Sequence, residues 1–273
     1  LPAAHQVVRI RIGMTHGPVN APKLEPVMPF ADLLTLELVG AAAAGFVAAV
    51  ISGFAGFGLN LVMTPILVVL FSPVEAIPVI TVMGLVNSAR VLGGTWRLVD
   101  RKEVLVLGSV CIFTVPIGAW VLVSADAEIM KRAIAAFVII FTLIMLTGWQ
   151  YRGPRNVATH VGIGMIGGFL NSSVGIGGPP VVLYQLARGG DPSIGRANLA
   201  GFFAILATVT LVTFAIDGVL DGVALRRSGL IIPFVLLGTW IGMRSFNPAS
   251  VHLYRRLTLG FLLCVSVMIV VIG

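Results

Sequence analysis

The sequence predicts an all-α polytopic membrane protein made of two homologous repeats, inverted relative to one another, with about 8–10 membrane segments. Three observations predict it. Mean hydropathy is +1.03 and only 11% of the 273 residues are charged, against roughly 25% in a soluble domain. Several stretches without a charge, such as residues 104–123, reach the roughly 20 residues that a helix needs to cross hydrocarbon. Landmarks of the first half recur in the same order in the second. Gly45 falls on Gly164 at an offset of 119, Gly56 and Gly58 on Gly175 and Gly177, Pro73 on Pro192, Gly118 and Trp120 on Gly238 and Trp240, and Lys131 on Arg255 at an offset of 124.

The elements follow in order. Residues 1–30 form a polar, basic, proline-bearing tail without the apolar core of a secretion signal. The first repeat spans 31–152. It begins with an uncharged piece, 38–74, which is too long for one helix and too short for two full helices with a polar turn. The Gly53, Gly56 and Gly58 pattern divides it into a full-length helix and a short one, about 59–71. Three spans follow, near 76–93, 104–123 and 133–150. The second repeat, 153–273, copies this plan. Its uncharged piece, 156–187, is broken at Gly175–Gly178 ahead of a short helix, 179–187, and spans near 197–216, 227–243 and 256–273 complete it. The two repeats form one integrated transmembrane domain.

Inversion follows from charge. With an odd number of passes per repeat, Arg90, Arg97, Arg101, Lys102, Arg152, Arg155, Arg188, Arg196, Arg244, Arg255 and Arg256 share one face. That sets eleven basic residues against four (Lys131, Arg132, Arg226, Arg227), leaving aside the three of the tail. Parallel repeats give eight against seven. Basic loops gather on the cytoplasmic face, so the odd count is preferred. The same rule accounts for the net charge of +7 without a nucleic-acid partner. Cys111 and Cys264 lie in apolar spans and read as small packing residues. The histidines (His5, His16, His160, His252) are scattered, and neither a metal set nor a cofactor is implied.

The breaks carry the chemistry. Irregular backbone in hydrocarbon costs several kcal/mol per unsatisfied peptide group, so it persists only inside protein or beside a wet cavity. Glycine-interrupted segments at matching places in two repeats point to a transporter's binding site. Pro179 and Pro180 suit a helix's first turn. That turn offers free N–H groups and the positive end of the dipole to an anion. Gly175, Gly177 and Gly178 let a ligand approach the backbone, and Asn171, Ser172 and Ser173 add neutral donors. In the first half Gly56 and Gly58 play the glycine part, with Asn60 and Thr64 as donors. Arg90 and Arg196, with the neighbouring Asn87 and Asn198, form a candidate vestibule that gathers anions. Competing readings are helix packing for the pairs Gly164/Gly168 and Gly238/Gly242, helix-to-helix hydrogen bonding for Asn171 and Ser172, and snorkelling to the headgroups for Arg90.

At three stretches the chain resembles the sulfite exporter TauE/SafE family of bacterial membrane permeases: SGFAGFGLNLVMTPIL (52–67), WRLVDRKE (96–103) and VGIGGPPVVL (174–183). The resemblance runs from about residue 35 to the end. It implies a multi-pass protein of the bacterial inner membrane that exports sulfite, an organosulfonate such as sulfoacetate, or a related sulfur anion, and that is not an enzyme. The partners expected are a small anionic substrate and the lipid bilayer, and the architecture is compatible with a homodimer. One departure is Gly56-Phe57-Gly58-Leu59, where many members carry a fuller glycine run. The alternatives are uptake of another small organic or inorganic anion and a non-transporting membrane scaffold.

Overall fold

The computed structural model of the chain describes residues 36–147, 149, 151–187 and 191–245. The tail, the span expected at 256–273, and Arg188, Arg255 and Arg256 lie outside the described residues, which all belong to one compact unit that begins at Thr35. Regular structure among them is entirely helical. In order the helices are α1 (Leu36–Ala55), α2 (Leu59–Leu70), α3 (Pro73–Thr95), α4 (Arg101–Ser109), α5 (Cys111–Ser124), α6 (Ala127–Leu146), α7 (Val157–Val174), α8 (Gly178–Leu186), α9 (Pro192–Ile216) and α10 (Gly222–Arg244).

Among the described residues six segments are long and apolar enough to cross a membrane: Leu36–Phe54, Pro73–Leu98, Arg101–Ser124, Ala127–Leu146, Pro192–Ile216 and Gly222–Arg244. The third contains the span expected at 104–123 and is made of α4 and α5, which are separated at Val110. The 18-residue α7, which carries His160, Asn171, Ser172 and Ser173, is not among the six.

Local chemistry sets most helix starts. Ser72, Asp100, Asp126, Asn156, Asp191 and Asp221 each accept a backbone N–H of the following turn, which satisfies a donor the helix cannot. Proline opens α3 and α9, where it gives up no needed hydrogen bond.

Glycines bring the backbones together. Along α1 and α10, Gly53 faces the Thr239 backbone, while Gly238 and Gly242 face the Phe46 and Val50 carbonyls. Along α5 and α7, Gly118 faces the Phe169 carbonyl and Gly168 faces Cys111, while Gly164 faces Leu107 at the end of α4. The spacing that marked Gly164/Gly168 and Gly238/Gly242 for packing is thus used for packing. In both pairs the helices run the same way. α2 returns along α1, with Leu70 beside Gly40 and Gly58 beside Ile51. α8 likewise returns toward the start of α7, where Arg155 reaches the Tyr184 carbonyl at 3.0 Å. α3 and α9 pack on each other, and two apolar clusters form, one around α2 and α3, the other around α8 and α9. Phe113, Trp120, Ile129, Val212 and Ile216 point outward, as a lipid-facing surface requires.

Candidate functional site

Both interruptions are made by glycines in the left-handed region. Gly56 has φ 81°, Gly58 φ 106° and Gly175 φ 75°, values that cost a residue with a Cβ about 1 kcal/mol or more. Gly58 precedes α2 and Gly175 closes α7, its N–H bonding the Asn171 carbonyl at 3.1 Å. The next helix, α8, begins at Gly178 with Pro179 and Pro180 in its first turn.

The two interruptions are braced across the halves, with unequal chemistry. Asn60, in the first turn of α2, donates Nδ2 to the Gly175 carbonyl at 3.2 Å and makes a long 3.5 Å contact with Asn171 Oδ1. Thr64, one turn on, donates to the same carbonyl at 3.4 Å. In the other direction the Arg196 guanidinium donates to the Gly53 carbonyl near the end of α1, and the aliphatic stem of Arg196 packs against Gly56. A cation therefore faces the negative end of the α1 dipole, whereas neutral donors serve the end of α7.

A cavity of about 40 Å³ lies where the interruptions meet, room for roughly three water molecules or a small oxyanion. Gly58 and Asn60 reach it from one break, and Asn171, Gly178 and Pro179 from the other. Asn87 and Ser88 of α3 and Ser52 of α1 supply its remaining polar lining, while Phe57, Met145 and Phe203 are among its apolar walls. Asn87 donates to Ser52 Oγ at 2.8 Å and accepts from the Thr239 hydroxyl at 2.8 Å. Asn171 donates to Thr210 Oγ1 at 3.1 Å. The helix starts are the distinctive feature. Neither α2 nor α8, the two that open onto this cavity, has a side-chain cap, in contrast to the six capped starts named above. In α2 the first-turn N–H groups have no side-chain acceptor, and in α8, where Pro179 and Pro180 carry no N–H, Gly178 is the first-turn residue that has one to offer.

The remaining expected site residues are placed as follows. Gly56 and Gly177 shape the turns from behind, and Gly177 packs against the Gly167 carbonyl and Asn171 Cβ. Ser172 and Ser173 are buried and return their hydroxyls to their own helix, at the Gly168 and Phe169 carbonyls. Arg90 is exposed and does not line the cavity. Asn198 is buried and accepts the Asp100 N–H at 2.8 Å, fixing the connector ahead of α4. Sequence reasoning missed Ser52 and Ser88. It also missed a polar cluster around Glu103, a carboxylate only 8% exposed that bonds Arg155 and Gln185. Among the described residues no group of His, Cys, Asp and Glu is arranged to hold a metal.

Compared with known proteins, the profile of the family described as Sulfite exporter TauE/SafE matches residues 41–269. A curated protein of Cupriavidus necator, named "Probable sulfite/organosulfonate exporter TauE", is 26% identical over 218 residues, covering 76% of this chain and 84% of its own length. No solved structure matches the chain.

Proposed function

The chain belongs to the sulfite exporter TauE/SafE family, and from that premise we propose that it moves sulfite or a small organosulfonate outward through the cavity between its two helix breaks. It is a multi-pass inner-membrane transporter and not an enzyme. The observation that carries the proposal is the pair of uncapped helix starts, α2 and α8, on one small cavity. Two positive dipole ends, with the N–H groups of the first turn of α2 and of Gly178 in α8, favour an anion. The neutral Ser and Asn lining adds hydrogen bonds without fixing the solute as a counter-ion, which lets it leave. An inside-negative potential drives each negative charge outward by about 2.3 kcal/mol per 100 mV, so export needs no buried acid.

The site residues we assign are Gly58, Asn60, Asn87, Asn171 and Gly178 at the cavity, Gly56, Gly175, Gly177 and Thr64 in the turns behind it, and Ser52 and Ser88 as additional lining. Arg196 acts from behind the first break.

We also read the two repeats as inverted. Exchanging the halves maps the α1–α10 pair onto α7–α5 and leaves α3–α9 paired with itself, and these are packings the chain makes. The α1–α2 hairpin ends beside the start of α10, where Arg227 bonds Glu75 at 2.7 Å. The α7–α8 hairpin ends beside the start of α4, where Gln185 bonds Glu103 at 2.9 Å. These places are the two ends of α3, so the hairpins enter from opposite faces. Such an arrangement puts the site near mid-depth, where repeat interfaces in transporters lie.

The test is flux from proteoliposomes loaded with sulfite, sulfoacetate or a carboxylate of similar size. Sulfur-anion efflux above that of protein-free vesicles, with little carboxylate efflux, is expected. Carboxylate movement without sulfur-anion movement would overturn the substrate class.

A further inference from the structure

Two polar clusters tie the first half of the chain to the second, one at each end of α3. Beyond its C-terminal end, Glu103 in the first turn of α4 accepts from Arg155 Nη2 at 3.0 Å and Gln185 Nε2 at 2.9 Å, with His160 Nε2 3.9 Å away. Arg155 also donates to the Tyr184 carbonyl at 3.0 Å and lies over the Tyr184 ring at 4.0 Å, so it neutralises the last turn of α8. At the N-terminal end of α3, Arg227 of α10 bonds Glu75 at 2.7 Å and covers the Phe71 ring, just past α2, at 4.1 Å. From Glu75 to its end at Thr95, α3 rises about 30 Å, matching the roughly 30 Å of bilayer hydrocarbon. Each cluster therefore stands on its own face of the membrane.

Both hold the far end of a short helix whose near end opens onto the cavity. None of Glu103, Arg155, Gln185, Glu75 and Arg227 lines that cavity. They can act on it only by fixing where α8 and α2 start.

We propose that the two clusters are latches. Glu103, Arg155 and Gln185 hold α8 against α4 and shut the cavity on their face. Glu75 and Arg227 hold the α2–α3 turn against α10 and shut it on the other. Transport opens them in turn. The latches rest on the transport reading above for their purpose, and these five are positioning residues. They are unequal in strength: Glu103 is 8% exposed and Glu75 52%, so water and salt screen the second pair more. The chain without substrate opens first on the Glu75 face.

The experiment labels Ser88→Cys, a buried position on the cavity wall, with a membrane-impermeant thiol reagent applied to each face of oriented vesicles of the full chain. Labelling of the chain without that substitution is subtracted. Glu103→Gln should raise the rate about tenfold from its own face and leave the other unchanged. Glu75→Gln should do the reverse, by a smaller factor. The charge exchange Glu103→Arg with Arg155→Glu should return the rate toward that of the parent. Unchanged rates, or an equal rise from both faces, would overturn the latches, the second outcome marking a general loosening. Should Glu103→Gln fail to assemble, Gln185→Leu removes one arm of the cluster and is judged by the same outcomes. Labelling needs no substrate, so face-specific labelling in a chain that moves no sulfur anion refutes the substrate and leaves the latches. Normal flux with face-independent labelling does the opposite.

Discussion

Asn60 donates its side-chain amide to the Gly175 carbonyl at 3.2 Å, so the second helix break is held by a residue 115 positions earlier. Asn60→Leu removes that donor and replaces part of the polar cavity lining with a hydrocarbon branch, while Thr64 still reaches the carbonyl. Membrane insertion is expected to stay normal and sulfite efflux to fall about tenfold or more, mainly through apparent affinity. Unaltered affinity would remove Asn60 from the site. Ser172 supplies the contrast, because its hydroxyl returns to the Gly168 and Phe169 carbonyls of its own helix. Ser172→Ala should leave efflux within about twofold, since such back-bonding adds little to a helix; a tenfold loss would make Ser172 a ligand. That Gly58, Asn60, Asn171 and Gly178 lie close together was legible in the sequence, because glycine breaks and the polar residues beside them stand out in an apolar run. Ser52 and Ser88 were not: a serine inside an apolar helix normally bonds its own backbone, and its face is invisible in the pattern. Glu103 stands directly after Arg101 and Lys102, so nothing local marks it as a buried carboxylate. Its partners Arg155 and Gln185 are 52 and 82 positions away, beyond any local signal.

Between helices, glycine decides how closely two backbones pass. Lipid is as apolar as the side chains, so helices gain by contact and hydrogen bonding rather than by escape from water. At Gly118 an added Cβ would fall inside the Phe169 carbonyl and the Ser172 hydroxyl, whereas at Gly162 it would meet nothing within 4 Å. Gly118→Ala is accordingly expected to cost about 1–3 kcal/mol, read as a clear fall in melting temperature in detergent. Gly162→Ala should leave it unchanged. Equal behaviour of the two variants would mean that the α5–α7 seam is not a close contact. Helix starts are a second, local signal, since Asp126, Asn156, Asp191 and Asp221 sit in the sequence immediately before the helices they cap. The interruption between α4 and α5 was not legible. Val110, where it occurs, is an ordinary helix residue, and Pro116 lies further along.

Over the whole molecule the decisive property is the direction in which each hairpin enters the bilayer. Internal similarity places Ser72 and Ser193 at corresponding points, since Pro73 falls on Pro192 and both serines lie within a residue of these prolines. Each point also follows the short helix of its own half, α2 or α8, and precedes a long span. A parallel pair of repeats sets the two points on one face, and an inverted pair sets them on opposite faces, whatever the orientation of the termini. Ser72→Cys and Ser193→Cys, labelled from each side of sealed vesicles, should therefore react from different sides. The Ser193 side should be the cytoplasmic one, because Arg97, Arg101, Lys102 and Arg155 gather there around the ends of α3 and α7. Same-side reaction would make the halves parallel and bring both hairpins in from one face. The two uncapped starts could then no longer approach the cavity from opposite sides, and anion passage would need a route other than the space between the breaks. Reaction from opposite sides ties the two observations that sequence and structure supply separately, a doubled chain and a shared cavity, to one cause: each half contributes a helix break whose preceding carbonyl the other half braces.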